Sequence, residues 1–324
     1  MAAALMVEEF ERQRARLFSI AYRMLGSASE AEDVVQDGYV RLQRARPGHL
    51  RAPAAYLTTV VVNLCLDRLK SARVQREAYV GPWLPEPVLT ADGALGPLET
   101  AEQRDAVSLA FLLLLERLNA RERAVFVLRE AFAYEHREIA AILGVSEAGS
   151  RQLLSRARRR MAGPPSRLET SPTRRRRLVE RFLAAAQAGD LRGLEEVLAE
   201  DVTVWSDGGG EVSAARRPVA GRARVARFVA GIADRARRES ELLLTFDEVN
   251  GQPALLSWTG GSLVAVFAFD VAGGRVHLVQ ADLKRPEEIA ALRGKTVAEV
   301  LGLEERPVAT EAAPAPAPAA ATAE

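Results

Sequence analysis

Apolar residues first recur at helical spacing, with Leu17, Ile20, Ala21, Met24 and Leu25 forming one stripe that ends at Gly26. The pattern predicts a second helix from about Ser29, whose hydroxyl can cap it. Glu30, Glu32 and Asp33 fall in its first turns, and Val34, Val35, Val40 and Leu42 on its apolar side. Pro47 and Pro53 break the periodicity. A long helix then runs from about Ala54 to Arg76, with Leu57, Val60, Val61, Leu64, Leu66 and Leu69 apolar. Gly81 to Pro97 is rich in Pro and Gly and reads as a linker, and helical periodicity resumes from Leu98 to Met161. After a second linker, Gly163 to Thr173, come two helices, the second capped by Asp190. A short strand with a Gly turn, a third helix and four strand-like runs follow. Helices followed by an antiparallel sheet indicate an α+β domain.

Tyr134 to Met161 has the pattern of a helix-turn-helix. A first helix, Arg137 to Leu143, stops at Gly144, and Ser146 caps a second whose Leu153, Leu154, Ala157 and Met161 form the buried stripe. Arg151, Arg156, Arg158, Arg159 and Arg160 take the other faces. A basic second helix after a tight turn is the geometry that enters a major groove. Gly149 should cost this helix about 1 kcal/mol relative to a good helix former.

The chain has 324 residues, 48% hydrophobic and 27% charged, with a net charge of only +1. That length suits two or three domains, and the even balance excludes a chain that is basic throughout. The charge is local: Arg151 to Arg177 holds ten arginines against one acid, Glu169. Such a block suits phosphate, or is a solvated helix end and linker. Cys65 is the single cysteine, so no intrachain disulfide can form. The opening residues turn acidic and lack a signal-peptide core, and no apolar run is long enough to span a bilayer. A cytoplasmic protein without membrane contact is expected. Three histidines make no metal cluster, and no cofactor motif is present.

Two further segments matter. The string AEDVVQD sets Glu32, Asp33, Gln36 and Asp37 close together, a stripe that from pattern alone could simply be solvated. Asn63 in the long helix could bond inside a bundle or present its amide to a base edge.

The order of these pieces resembles the extracytoplasmic-function sigma factors of bacterial RNA polymerase. The resemblance lies in Tyr22 to Leu42, Tyr56 to Ser71 and the helix-turn-helix at Arg137 to Met161. Trp83 to Pro87 reads WLPEP, a marker of the SigJ-like subgroup, which carries a C-terminal SnoaL-like domain. A second marker, DGGGK, stands as DGGGE at Asp207 to Glu211. A third, NPDKL, falls at Arg285 to Ile289 as RPEEI, where only the proline is identical. The resemblance implies a multidomain fold: two all-α sigma domains, a region 2 helical bundle and a region 4 helix-turn-helix, then an α+β cone. The expected divisions are 1–78 for region 2, 79–104 for the linker and 105–163 for region 4. A linker at 164–173, a SnoaL-like domain at 174–303 and a disordered tail at 304–324 complete the chain.

It also implies partners, core RNA polymerase and promoter DNA. Glu32, Asp33, Gln36 and Asp37 would dock on a coiled coil of the largest polymerase subunit. At the −10 element, Asn63 and Asp67 would work near the separated strand, with Arg68, Lys70, Arg73 and Arg76 on phosphates. At the −35 element, Ser150, Arg151, Gln152 and Ser155 would reach base edges, with Arg156 and Arg159 also on the DNA. A regulatory intramolecular contact would join Trp83, Pro85 and Glu86 to Asp207, Gly208, Gly209, Gly210 and Pro286. Asp207, Asp270, His277 and Asp282 are the polar groups that could enter an apolar pocket in the cone. The domain reads as regulatory, not catalytic. Two other classes remain open: a helix-turn-helix regulator with a small-molecule-sensing domain, and an isomerase or hydrolase fused to a DNA-binding module. The first has no need of AEDVVQD or WLPEP, and the second needs a carboxylate or imidazole of shifted pKa in the pocket.

Overall fold

The computed structural model describes residues 2–45, 52–77, 82–90, 95, 107–161, 171–208, 214–215, 217–238, 242–260 and 262–283. Gly209, Gly210, Glu211, Pro286 and the tail expected at 304–324 lie outside these residues, as do the side chains of Arg73 and Arg76.

Helices α1 (Ala2–Leu25), α2 (Ala28–Arg44) and α3 (Pro53–Glu77) form the first bundle. The stripe from Leu17 to Leu25 is at most 1% exposed and lies at its centre. Gly38 lets α2 approach α3, since a Cβ there would stand 3.2 Å from Val61 Cγ2. The cap of helix α2 lies two residues earlier than the sequence suggests. Ser27 is its cap, its hydroxyl accepting from Glu30 N at 3.1 Å, because Ser29 is engaged elsewhere. The expected stripe of α3 is too narrow: Val62 and Cys65 are also fully buried. The reason is tertiary, since α3 packs on α1 and α2 and also on the second helical unit.

That unit comprises α4 (Leu109–Leu115), α5 (Ala120–Phe126), a π-helical turn (Val127–Ala131), α6 (His136–Leu143) and α7 (Glu147–Met161). Helix α6 ends at Gly144 with φ 61°, as the turn requires. The C-terminal domain comprises α8 (Pro172–Ala188), α9 (Leu191–Val197), β1 (Leu198–Asp207), β2 (Val219–Ala220) and α10 (Arg222–Arg238). It closes with β3 (Leu243–Val249), β4 (Gln252–Thr259), β5 (Ser262–Ala272) and β6 (Arg275–Asp282). The sheet order is β2-β1-β6-β5-β4-β3, antiparallel except for the β1–β6 pair.

The two faces of the sheet serve different cores. Leu255, Phe269, Val271, Val276 and Val279 pack under α8, α9 and α10. Ala254, Leu256, Val266 and Ala268 join a core that continues through Val88 and Leu89 into α1–α7. The segment between the helical units is therefore not a loose connection. Leu84, Val88 and Leu89 are buried, Leu89 bridges Val249 antiparallel, and Thr90 N donates to Glu248 O at 3.0 Å. It extends the sheet at β3, which is otherwise an edge strand.

Candidate nucleic-acid interface

The helix-turn-helix is built locally. Ser146 caps α7, its hydroxyl accepting from Gly149 N at 3.0 Å. A Cβ at Gly149 would lie 3.2 Å from that hydroxyl oxygen, so the glycine leaves room for the cap. Arg151, Gln152, Ser155, Arg156 and Arg159 are exposed on α7. Ser150 is not: it is 0% exposed, with its hydroxyl 2.9 Å from His136 Nδ1, so it joins α6 to α7 and cannot face a base edge. The arginines also divide. Arg160 bonds Glu122 at 2.7 Å, Arg156 stands 3.6 Å from the same carboxylate, and Arg158 bonds Glu130 at 2.7 Å. Glu122 is 1% exposed and caps α5 reciprocally with Asn119. These pairs fix the end of α7 against α5 and the π turn.

On α2, Asp33, Gln36 and Asp37 are exposed, while Glu32 is half-buried and pairs with Arg14 of α1. Arg68 of α3 lies against the same stripe. Its guanidinium donates to Glu30 O at 3.1 Å and stands 3.4 Å from both Asp33 and Asp37. The phosphate role expected for Arg68 is corrected accordingly: its fork is turned to α2. Asn63 and Asp67 are exposed on α3. Lys70 bonds Asp67 at 2.8 Å and holds that carboxyl below the usual range.

The two helical units touch directly. Arg123 of α5, 3% exposed, donates to Met24 O and to Glu116, each at 2.8 Å. Thr58 Oγ1 and the Tyr134 hydroxyl lie 3.1 Å apart, and Arg16 stacks 5.0 Å over the Tyr134 ring. Arg23, its guanidinium pulled down to about 10 by burial, lies over Phe132.

The WLPEP segment is bonded on both sides. Trp83 packs on Gly26 between α1 and α2, where φ is +70° and a Cβ would come within 2.7 Å of the indole. Glu86 accepts from Ala28 N at 2.7 Å, Ser29 N at 3.0 Å and the Ser27 hydroxyl at 2.9 Å. It thus places a carboxylate on the N-terminus of α2, where the helix dipole favours it. Pro85 is buried. On the other side, Leu84 N donates to Asp207 Oδ2 at 2.8 Å, and Gly208 is buried beside it.

Sequence reasoning missed Asn250. It sits at the tip of the β3–β4 hairpin with φ 52°, followed by Gly251 with φ 69°, the backbone of a type I′ turn. It is 0% exposed. Its Oδ1 accepts from Val88 N at 2.9 Å, and its Nδ2 donates to the Tyr22 hydroxyl at 2.8 Å and to Val107 O at 2.7 Å. One side chain thereby joins the first bundle, the linker and the entry to the second unit. The Asn-Gly pair was a legible turn signal, but nothing local reports the partners.

The pocket expectation is also corrected. Asp282 pairs with Val266, and Gln280 with Ala268. Asp270 lies two residues beyond Ala268 on β5, and Asp207 pairs with Asp282. Directly paired residues share a face. Asp207, Asp270 and Asp282 thus lie on the face away from the second core, not among the apolar side chains under α8–α10. His277 pairs with Asp201 at 3.3 Å. Among the described residues no cluster of metal-binding side chains occurs, and no helix is long and apolar enough to cross a membrane.

Known proteins match this arrangement piece by piece. Sigma-70 region 2 matches residues 10–74, sigma-70 region 4 residues 108–161, and the SnoaL-like domain residues 179–283. The ECF RNA polymerase sigma factor SigJ of Mycobacterium tuberculosis is 42% identical over 231 residues, 71% of this chain and 73% of that one. The chain belongs to the ECF RNA polymerase sigma factors. The probable ECF sigma factor SigI of the same organism is 32% identical over 87% of this chain and 94% of its own. The crystal structure of M. tuberculosis SigJ superposes with a TM-score of 0.69 at 32% identity, covering 88% of this chain and 98% of that one. Sigma factors of this family serve promoter-specific transcription with core RNA polymerase and are initiation factors, not enzymes. Region 2 here comprises α1–α3, region 4 comprises α4–α7, and a SnoaL-like domain follows.

Proposed function

We propose that region 2 of this sigma factor recognises and melts the −10 element, that region 4 reads the −35 element, and that the SnoaL-like domain governs both in cis. Exposed Asn63 and Asp67 on α3, and Arg151, Gln152, Ser155 and Arg159 on α7, suit the two DNA roles. Asp33, Gln36 and Asp37 suit docking on core polymerase.

The observation that carries the cis role is the double engagement of residues 84–90. Glu86 caps α2, the helix of the polymerase-facing stripe, while Leu84 and Thr90 bond the C-terminal domain. Distance adds to this. The two promoter elements are about 25 base pairs apart, roughly 85 Å of straight duplex. Regions 2 and 4 touch through Thr58 and Tyr134 at 3.1 Å. The arrangement must open before both elements are held at once, and the SnoaL-like domain grips the segment that has to extend. The burial of Asp207 and Asp282 on the interdomain side favours regulation over catalysis.

Run-off transcription with core polymerase tests the reading. The full chain should initiate at a cognate promoter. Trp83→Ala and Asp207→Asn should change the yield several-fold while core polymerase is still retained in a pull-down. No promoter-directed transcript from the full chain would refute the sigma roles. Unchanged yield from both variants would refute the cis role.

A further inference from the structure

Helices α8 and α10 carry far more positive charge than their packing uses. Five arginines stand on α8 and six on α10, against Glu180 and Asp234 alone. Arg176 occupies Glu180 at 3.0 Å, and Arg237 and Arg238 occupy Asp234 at 3.0 and 2.7 Å. Arg177 and Arg181 of α8, and Arg224, Arg227 and Arg235 of α10, are exposed, with no acid in contact among the described residues. Their spacing sets each group on one face of its helix. The opposite faces, Leu178, Val179 and Phe182 on α8 and Val225 and Ala226 on α10, are in the core. Arg237 bonds Gln187 O, which ties the C-terminal ends of the two helices together and keeps them neighbours on the outside of the domain.

We propose that this face of the SnoaL-like domain binds the phosphate backbone of duplex DNA within about one turn of the −35 element. All five side chains are arginine, whose planar fork matches phosphate oxygens. Tethering argues for DNA. Helix α8 begins eleven residues after Met161, the end of the recognition helix, a reach of at most about 38 Å. One turn of duplex is about 34–36 Å. DNA held by α7 is thus presented to α8 and α10 at high effective concentration. A lipid surface fits less well, because surface-bound amphipathic helices insert their apolar faces and those of α8 and α10 are occupied. The inference rests on α7 reading the −35 element.

The test uses the full chain and a −35 duplex selected with it from a random pool, at minimal length and extended by one turn on either side. Extension should raise wild-type affinity on at least one side. The variant R177Q/R181Q/R224Q/R227Q should lose that gain, and its salt slope should fall by about 3–4. Between 50 and 200 mM salt the wild type should then lose about 100-fold more affinity than the variant. Lysine at the same four positions should restore the slope, which a merely structural role would not require. A glutamine variant that responds to extension as the wild type does would overturn the proposal. So would a variant defect seen only on vesicles containing phosphatidylserine. If the wild type gains with length and the variant does not, yet neither prefers the −35 sequence to a scrambled one, the phosphate surface stands and the −35 reading falls.

Discussion

Replacing Asn250 with alanine should uncouple the SnoaL-like domain from regions 2 and 4. The wild-type side chain makes three hydrogen bonds, to Val88 N, Val107 O and the Tyr22 hydroxyl. Tyr22 keeps a second bond to Glu86 O at 2.5 Å, so the larger loss falls on the buried Val88 N and on Val107 O. Each buried group left unpaired costs about 1–3 kcal/mol. Alanine at φ 52° adds about 1–2 kcal/mol of left-handed strain. The expected loss is about 3–8 kcal/mol, a large share of a typical folding free energy of about 5–15 kcal/mol. Because the partners belong to three parts of the chain, the loss should appear as lost cooperativity. Thermal unfolding of the full chain should change from one transition to two, with faster proteolysis between residues 79 and 104. Asn250→Gly should recover only the strain component. A single transition with stability within about 1 kcal/mol of wild type would refute the reasoning.

Asp33→Arg should weaken core-polymerase binding with little change in folding. Its bond to Arg68 is a surface pair worth about 0–1 kcal/mol, and unchanged affinity for core would argue against this docking face. Arg151→Ala should cost about 1–3 kcal/mol and relax discrimination at one −35 base pair, whereas Arg159→Ala should weaken all sequences alike. Identical behaviour across a panel of −35 mutants would contradict that split. Asp270 has a buried Oδ1 without a hydrogen bond, and desolvation raises its pKa. The folded state thus holds this proton more tightly than the unfolded state. Its contribution favours folding in acid and is lost as pH rises from the ordinary aspartate value, about 4, through the folded one. Asp270→Asn should therefore raise the melting midpoint at pH 8 more than at pH 4, and equal midpoint shifts would contradict it. Burial likewise pushes up the Cys65 thiol, so maleimide should label it only on unfolding.

Local features were legible in the sequence, because neighbours in the chain determine them. The Leu17–Leu25 stripe, the stop at Gly144, the Ser146 cap and the strand runs from residue 243 onward are of this kind. What failed depended on distant partners. Ser150 is polar and close to the exposed stripe of α7, yet His136 holds it inward. Arg68 reads as one more cation on a basic helix end until α2, more than 30 residues earlier in the chain, is folded beside it. The alternation along β5 and β6 separates two faces without telling which lies under α8–α10, so it does not decide the layer of Asp270 and Asp282. The full burial of α3 could not be read from its own pattern, since it packs on α1 and α2 and on region 4 as well.

The Glu122 carboxylate bears on how promoter preference in this protein can be rewritten. It is buried, and two of its neighbours are arginines of the recognition helix, Arg160 at 2.7 Å and Arg156 at 3.6 Å. A library that randomised the whole of α7 would strand that charge in most of its members and select for folding before it selected for sequence preference. Positions 151, 152 and 155 can vary without touching it. Recoding confined to those three positions, with Arg156, Arg159 and Arg160 retained, would keep the residues proposed to read the −35 element independent of the scaffold, so that orthogonal variants can differ in the promoters they choose while sharing one folding unit.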